Sequence, residues 1–238
     1  MLVFFFFFCL LAAFVQRVSG FGFGIVIMTM LPYLMPSYGE ATTLSGLLAM
    51  MTSLMVVVRS WRLISWNHLL PILGTFLVVS FFAVQFVSSV DDRILKHILG
   101  VILILVSLYF LFVSEKIRIK PTLPMQIGMG TISGMMGGFC GMQGPPAVLY
   151  FLQSEPTKEK YLAIAQAYFM IGNICMTFYR AGNGFLTLAV GKAWCIGIVA
   201  VIVGSWIGGK VFARLSQRRL RFIVYLYMGI SGIVALMA

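Results

Sequence analysis

The chain has 238 residues, of which 61% are hydrophobic and 10% charged, and its mean hydropathy is +1.03. A soluble domain of this size could not cover its surface with so few charges. Seventeen Lys and Arg against six Asp and Glu give a formal net charge of +11. On a soluble chain that excess would point to nucleic acid. Here the basic residues stand between apolar segments and form no continuous face, so the excess reads as membrane topology and nucleic acid is excluded as a partner.

The predicted elements follow in chain order. Residues 1–35 are apolar but interrupted by Gln16, Arg17, Gly20, Gly22, Gly24 and Pro32. Their start is similar to a secretory signal but lacks the basic leading region, so it is kept as part of the fold. Segments 41–58, 69–88 and 95–113 are each about long enough to cross a hydrocarbon core of roughly 30 Å. A basic linker, 114–124, comes next. Residues 125–152 form a second interrupted stretch, with seven glycines between Gly128 and Gly144 followed by Pro145-Pro146. Segments 161–179, 188–212 and 220–237 complete the chain. Each interrupted stretch is too long for one span and short for two with a turn. A broken or re-entrant helix pair fits, because non-helical backbone at membrane depth persists only where protein or a wet cavity satisfies its polar groups.

The second half repeats the first. At an offset of 120 residues Pro36 falls on Pro156, Gly24 on Gly144 and Ser53 on Asn173, while Arg59 falls one place from Arg180. The expected architecture is an all-α, polytopic helical bundle of two transmembrane repeats, 1–113 and 125–238. Each has one broken or re-entrant helix pair and three full spans, and 114–124 is a cytoplasmic linker. If each interrupted stretch starts and ends on one side, twelve Lys and Arg collect on one face, among them Arg59, Lys116, Lys158 and Arg218, against four on the other: Arg93, Lys96, Arg180 and Lys192. The rich face is then cytoplasmic. The halves are inverted with respect to each other, an arrangement shared by many secondary transporters.

Two glycine-rich breaks, 19–24 and 134–146, hold the candidate site. Glycine permits close backbone approach and positive φ, and proline suits the first turn of a restarting helix. A helix beginning near Pro145 would aim free N–H groups at the break. Two breaks facing each other would bind an anion without a charged side chain. The substrate is therefore expected among Gly22, Gly24, Ile25, Gln143, Gly144, Pro145, Pro146 and Ala147, with Gly144 the position where a side chain would block approach. Polar residues within apolar segments are costly and so are functional candidates. Gln166 and Asn173 lie seven apart on one helix and share a face, with Ser53 in the equivalent helix of the first half. Arg17, nearest the first break, is the favoured cation; Arg59 and Arg180 stand at helix ends, where snorkelling explains them. Glu40 is placed in a solvated loop beside Pro36. The competing reading of Gly130, Gly134 and Gly138 is a small-residue stripe for helix packing.

Other motifs carry less. Gly204-Ser-Trp-Ile-Gly-Gly-Lys210 spells most of a phosphate-binding loop, but Val211 replaces the metal-binding hydroxyl and no strand precedes it. The cysteines Cys9, Cys140, Cys175 and Cys195 are scattered in apolar stretches without metal-ligand spacing. His68 and His97 have no second ligand in sequence reach. No nucleophile–base pair stands out, so no catalytic residue, metal or cofactor is expected and the chain is not read as an enzyme.

On the residues Ser19-Gly-Phe-Gly-Phe-Gly24 with Pro32, on Gly134–Pro146 followed by Pro156, and on the duplicated layout, the chain resembles the sulfite exporter TauE/SafE family of membrane proteins. Alternating Phe replaces the denser glycine run usual in the first break, and Gln-Gly-Pro-Pro replaces a more glycine-rich ending in the second. The resemblance implies transport of a small sulfur-containing anion such as sulfite or an organosulfonate; composition and spacing imply only a small anion. The expected protein is a multi-pass secondary transporter of the inner cell membrane, with the bilayer and a small anionic substrate as partners, working by alternating access about a midplane site. An anion channel and a membrane-embedded enzyme or assembly factor are the alternatives, and the sequence leaves a homo-oligomer open.

Overall fold

The computed structural model describes residues 2–112, 121–211, 229–230, 232–233 and 236–237. Ten α-helices are laid out among them: α1 Leu2–Ser19, α2 Phe23–Met28, α3 Leu31–Leu34, α4 Tyr38–Ser60, α5 Trp66–Val87, α6 Asp92–Phe112, α7 Leu123–Cys140, α8 Gly144–Ser154, α9 Lys158–Gly182 and α10 Leu188–Val211. No strand occurs among the described residues. Five helical segments are long and apolar enough to cross a membrane: Leu2–Ser19, Tyr38–Leu63, Trp66–Val87, Lys158–Gly182 and Leu188–Lys210. The protein is an all-α membrane protein. The predicted segment 220–237 and the cations Lys116, Arg118, Lys120, Arg214, Arg218, Arg219 and Arg221 lie wholly or largely outside the described residues.

Local chemistry sets the helix ends. Ser37 caps α4, its hydroxyl accepting from the Glu40 N–H at 3.2 Å, and Thr157 caps α9 in the same way from the Lys160 N–H at 3.3 Å. Each cap follows a proline, Pro36 or Pro156, which keeps the preceding backbone from continuing as helix. Glu40 therefore stands in the first turn of α4, where its charge suits the helix N-terminus, and not in a solvated loop. α7 ends in the left-handed Gly141, φ 65°, with its N–H bonded to the Gly137 carbonyl at 3.0 Å and the Met142 N–H to the Met136 carbonyl at 3.3 Å. That double bond closes the helix and turns the chain out of it.

The halves are interlocked. α1 packs on α10 and α7 on α5, so each broken helix lies against a span of the other half, while α4 and α9 pack together between them. The set of packed pairs α1·α10, α4·α10, α1·α2, α2·α4 maps onto α7·α5, α9·α5, α7·α8, α8·α9 when the halves are exchanged. Small residues make the closest of these contacts. A Cβ on Gly130 would come within 2.6 Å of the Ile72 carbonyl and one on Gly134 within 2.8 Å of Val79 Cβ, so the stripe on α7 is a packing surface for α5. Gly204 and Gly208 of α10 do the same against α1, at Leu10 and Phe14. The sequence similar to a phosphate-binding loop is a helix-packing face.

Candidate functional site

The first break spans Gly20 to Gly22, where glycines at φ 84° and 103° supply a conformation that other residues rarely adopt. α2 restarts at Phe23 with Gly22 as a cap that offers no side chain. Its Val26 N–H already bonds the Gly22 carbonyl at 3.0 Å. The N–H groups of Phe23, Gly24 and Ile25 are the first-turn donors that a helix leaves without an internal partner. The second break runs from Gly141 to Gln143, and α8 restarts at Gly144. Pro145 and Pro146 bring no N–H, so this helix start has fewer donors than its glycine-rich sequence implies. Tyr168 donates to Ser133 Oγ at 2.7 Å and Ser133 to the Gln143 carbonyl, which fixes the second break against α7 and α9.

The two breaks meet. A Cβ on Gly24 would stand 2.5 Å from the Gly141 carbonyl oxygen, so the backbones touch and only glycine fits. At Gly144 a Cβ would make ordinary contacts of 3.6 Å with Phe21 and 3.7 Å with Phe169. The tight position is therefore Gly24, not Gly144. Between the breaks lies a cavity of about 30 Å³ lined by Gln16, Gly22, Phe23, Gly24, Ile25, Ala49, Gly141, Met142, Gln143, Gly144, Pro145, Phe169 and Asn173. Of the residues expected at the site, Gly22, Gly24, Ile25, Gln143, Gly144, Pro145 and Asn173 line it; Pro146, Ala147, Gln166, Ser53 and Arg17 do not.

The polar groups around the cavity differ in how far they are satisfied. On one side, Gln16 Nε2 donates to Ser53 Oγ and to Gln166 Oε1, both at 3.1 Å. Ser53 donates to Gln166 Oε1 at 2.9 Å, and Gln166 Nε2 to the Gly20 carbonyl at 2.7 Å. This buried chain ties α1, α4, α9 and the first break together. On the other side, the Asn173 carboxamide lines the cavity without a hydrogen-bond partner among the described residues. Gln143 Nε2 donates to the Phe169 carbonyl at 3.3 Å, and its Oε1 is buried without a partner.

Behind Asn173 stands Arg180, one of the largest fully buried side chains at 2% exposure. It does not snorkel. Its Nη1 donates to the Thr42 carbonyl at 2.7 Å and its Nη2 to the Gly137 carbonyl at 3.0 Å. Both Arg180 Nη1 and Asn173 Oδ1 lie 3.4 Å from where a Cβ on Gly46 would be, so the two side chains share the space that glycine leaves. No carboxylate is within ion-pair distance of Arg180 among the described residues. Arg17, the expected cation, lies instead against Gly208 and Gly209 of α10, outside the cavity lining. Sequence reasoning weighed Arg180 as an anion-pairing charge but set it below Arg17, and it did not place Gln16 at the site. The spacing Gln166, Asn173, Arg180, with successive members seven positions apart on one helix, is the signal that would have placed the arginine on the same inward face.

Apolar spans packed around two touching backbone breaks and a buried, unpaired guanidinium define a polytopic membrane protein built like a transporter. The chain matches the family model described as sulfite exporter TauE/SafE over residues 5–235, nearly its whole length, and it belongs to that family. No curated protein and no solved structure matches it. The family is one of membrane transporters, and the protein is accordingly a multi-pass membrane protein.

Proposed function

We propose that the protein is a secondary carrier of a compact sulfur-containing oxyanion, with sulfite the model substrate, in the inner cell membrane. The observation that supports this most is the cavity where the two breaks touch: it gathers first-turn N–H groups of α2, the unbonded Asn173 amide and, behind it, the positive charge of Arg180, with no acid beside them. A helix N-terminus favours an anion by about 0.3–1 kcal/mol when exposed and up to about 2 kcal/mol when partly buried. A cavity of about 30 Å³ holds only a few atoms beyond a water molecule. That size favours sulfite over an extended organosulfonate, which would need the breaks to part.

Alternating access requires that the breaks separate and close again about the substrate. The exchange symmetry of the packed pairs supports two repeats, and the charge asymmetry supports their inversion, with 114–120 and 210–221 both cytoplasmic. Counterflow tests the carrier. Proteoliposomes preloaded with unlabelled sulfite are expected to accelerate and transiently concentrate labelled sulfite; free conduction without that trans effect would make the protein a channel. Single cysteines in a cysteine-free background test the topology. Labelling of either loop from outside intact cells would overturn the inverted arrangement.

A further inference from the structure

A second polar cluster lies apart from the anion cavity. Glu155 follows α8 as its C-terminal cap, and its side chain is 1% exposed. Carboxylates are seldom buried this far without a purpose or a partner. Its partners come from the other half of the chain. His68 Nδ1 lies 2.7 Å from Oε1, and Ser65 donates to Oε2 at 2.9 Å. Ser65 is the residue before α5 and would ordinarily cap it, yet it makes no cap bond and gives its hydroxyl to Glu155. His68 is 36% exposed. The pair thus has one member partly exposed and one sealed inside.

We infer that His68 and Glu155 form a proton-binding site that couples proton movement to anion transport, an inference that rests on the carrier reading above. With the imidazole neutral, its Nδ1–H donates to the carboxylate and the pair carries one negative charge. Uptake of one proton from solution at Nε2 converts it to imidazolium and carboxylate, a charge-assisted and stronger bond. Release of that proton restores the first state. Tyr150 of α8 also feels the charge of Glu155, and it accepts from Gln126 Nε2 at 2.7 Å. The charged residues on the segments that meet around the pair are Arg59 and Arg62 before α5, and Lys158, Glu159 and Lys160 at the start of α9.

The link to the anion runs through α8. This helix begins at Gly144 in the cavity wall and ends at Ser154, beside Glu155. At a rise of about 1.5 Å per residue its two ends are roughly 15 Å apart. A proton on His68 tightens the tie between the end of α8 and the start of α5. Loss of the proton loosens it and frees the same helix to move at its other end. Both ligands then bias one movable element, which is the physical requirement for coupling.

Proteoliposomes holding a trapped pH dye test the inference, with labelled sulfite as probe and protein-free vesicles subtracted. Wild-type protein is expected to show sulfite counterflow and, under an imposed sulfite gradient, a protein-dependent pH change in excess of that which the moved sulfite produces through its own equilibrium with bisulfite. Glu155→Gln and His68→Gln are expected to retain counterflow and lose the pH change. Retention of the pH change by both variants would overturn the inference, as would parallel loss of both signals, which marks a purely structural tie. Counterflow without any pH change in the wild type would overturn the coupling alone. Absence of wild-type counterflow would remove the carrier reading and this inference with it.

Discussion

The two sides of the central α4–α9 contact correspond at the 120-residue offset and differ in one respect. Ser53 and Asn173 occupy equivalent positions 120 residues apart, as do Gly46 and Gln166. Where Gln166 meets Ser53, hydrogen bonds run without a gap from Gln16 to the Gly20 carbonyl. Where Asn173 meets Gly46, the glycine offers nothing, so the amide is left free at the cavity and Arg180 fills in behind it. Arg59, one place from the counterpart of Arg180, is exposed. Two similar frames lie 120 residues apart. Filling one with a closed polar chain makes a strut, and leaving the other incomplete makes a binding surface.

The largest effect that can break this comparison is expected at the contact between the breaks. Gly24→Val places atoms onto the Gly141 carbonyl and should reduce sulfite counterflow to the level of protein-free vesicles. Overpacking of this kind costs about 1–3 kcal/mol, so the variant should still reach the membrane. Wild-type counterflow from well-expressed Gly24→Val would show that the breaks need not touch. Arg180→Gln comes next. Its hydrogen bonds go to the Thr42 and Gly137 carbonyls, so it acts on the anion through its charge, and loss of that charge should weaken sulfite affinity roughly 10-fold or more. The counterpart Arg59→Gln should leave the affinity unchanged, and equal losses in the two would mean that net charge alone is being read.

Asn173→Leu tests the incomplete side directly. Loss of one neutral donor, worth about 0.5–1.5 kcal/mol, should raise the apparent KM for sulfite by several-fold up to about tenfold. Thermal stability in detergent should hold, because no protein bond is lost. The smallest effect is expected from Ser53→Ala on the strut. A polar contact within a membrane bundle is worth about 0.6 kcal/mol on average. The variant should melt slightly earlier with KM unaltered. A shift in KM without a shift in melting would place Ser53 in the site and remove the distinction between the two sides.

Much of this is legible in the sequence. Hydropathy and length located four of the five candidate spans, at 41–58, 69–88, 161–179 and 188–212, because a bilayer imposes one scale on every crossing helix, whereas Leu2–Ser19 lay inside the first interrupted stretch. The breaks at Gly20–Gly22 and Gly141–Gln143 were legible because glycine and proline act locally, through φ and a missing N–H. Asn173 was legible because an amide in an apolar helix is conspicuous. What stayed hidden depends on which helices pair. Arg180 at a helix end reads as a snorkelling cation until α4 and α7 are seen to present the Thr42 and Gly137 carbonyls to it. Glu155 and His68 are far apart in sequence and meet only because α8 packs on α5. Gly144 was favoured over Gly24 as the tight spot because the denser glycine run drew attention, whereas the close contact is a matter of which backbone faces which.

The exchange of partners between halves also constrains how the protein is made. α1 is synthesised first, yet its packing partner α10 comes from the far end of the second half. Until α9 is inserted, Gln16 and Ser53 have one another but lack Gln166, and the Gly20 carbonyl has no side-chain donor. Polar groups in that condition are costly in hydrocarbon and attractive to any other helix that drifts by. The first half therefore waits in the membrane as an unfinished surface. Contacts that close only after most of the chain has been laid down form slowly, so the facing surfaces of α1 and α4 stay incomplete until the second half arrives.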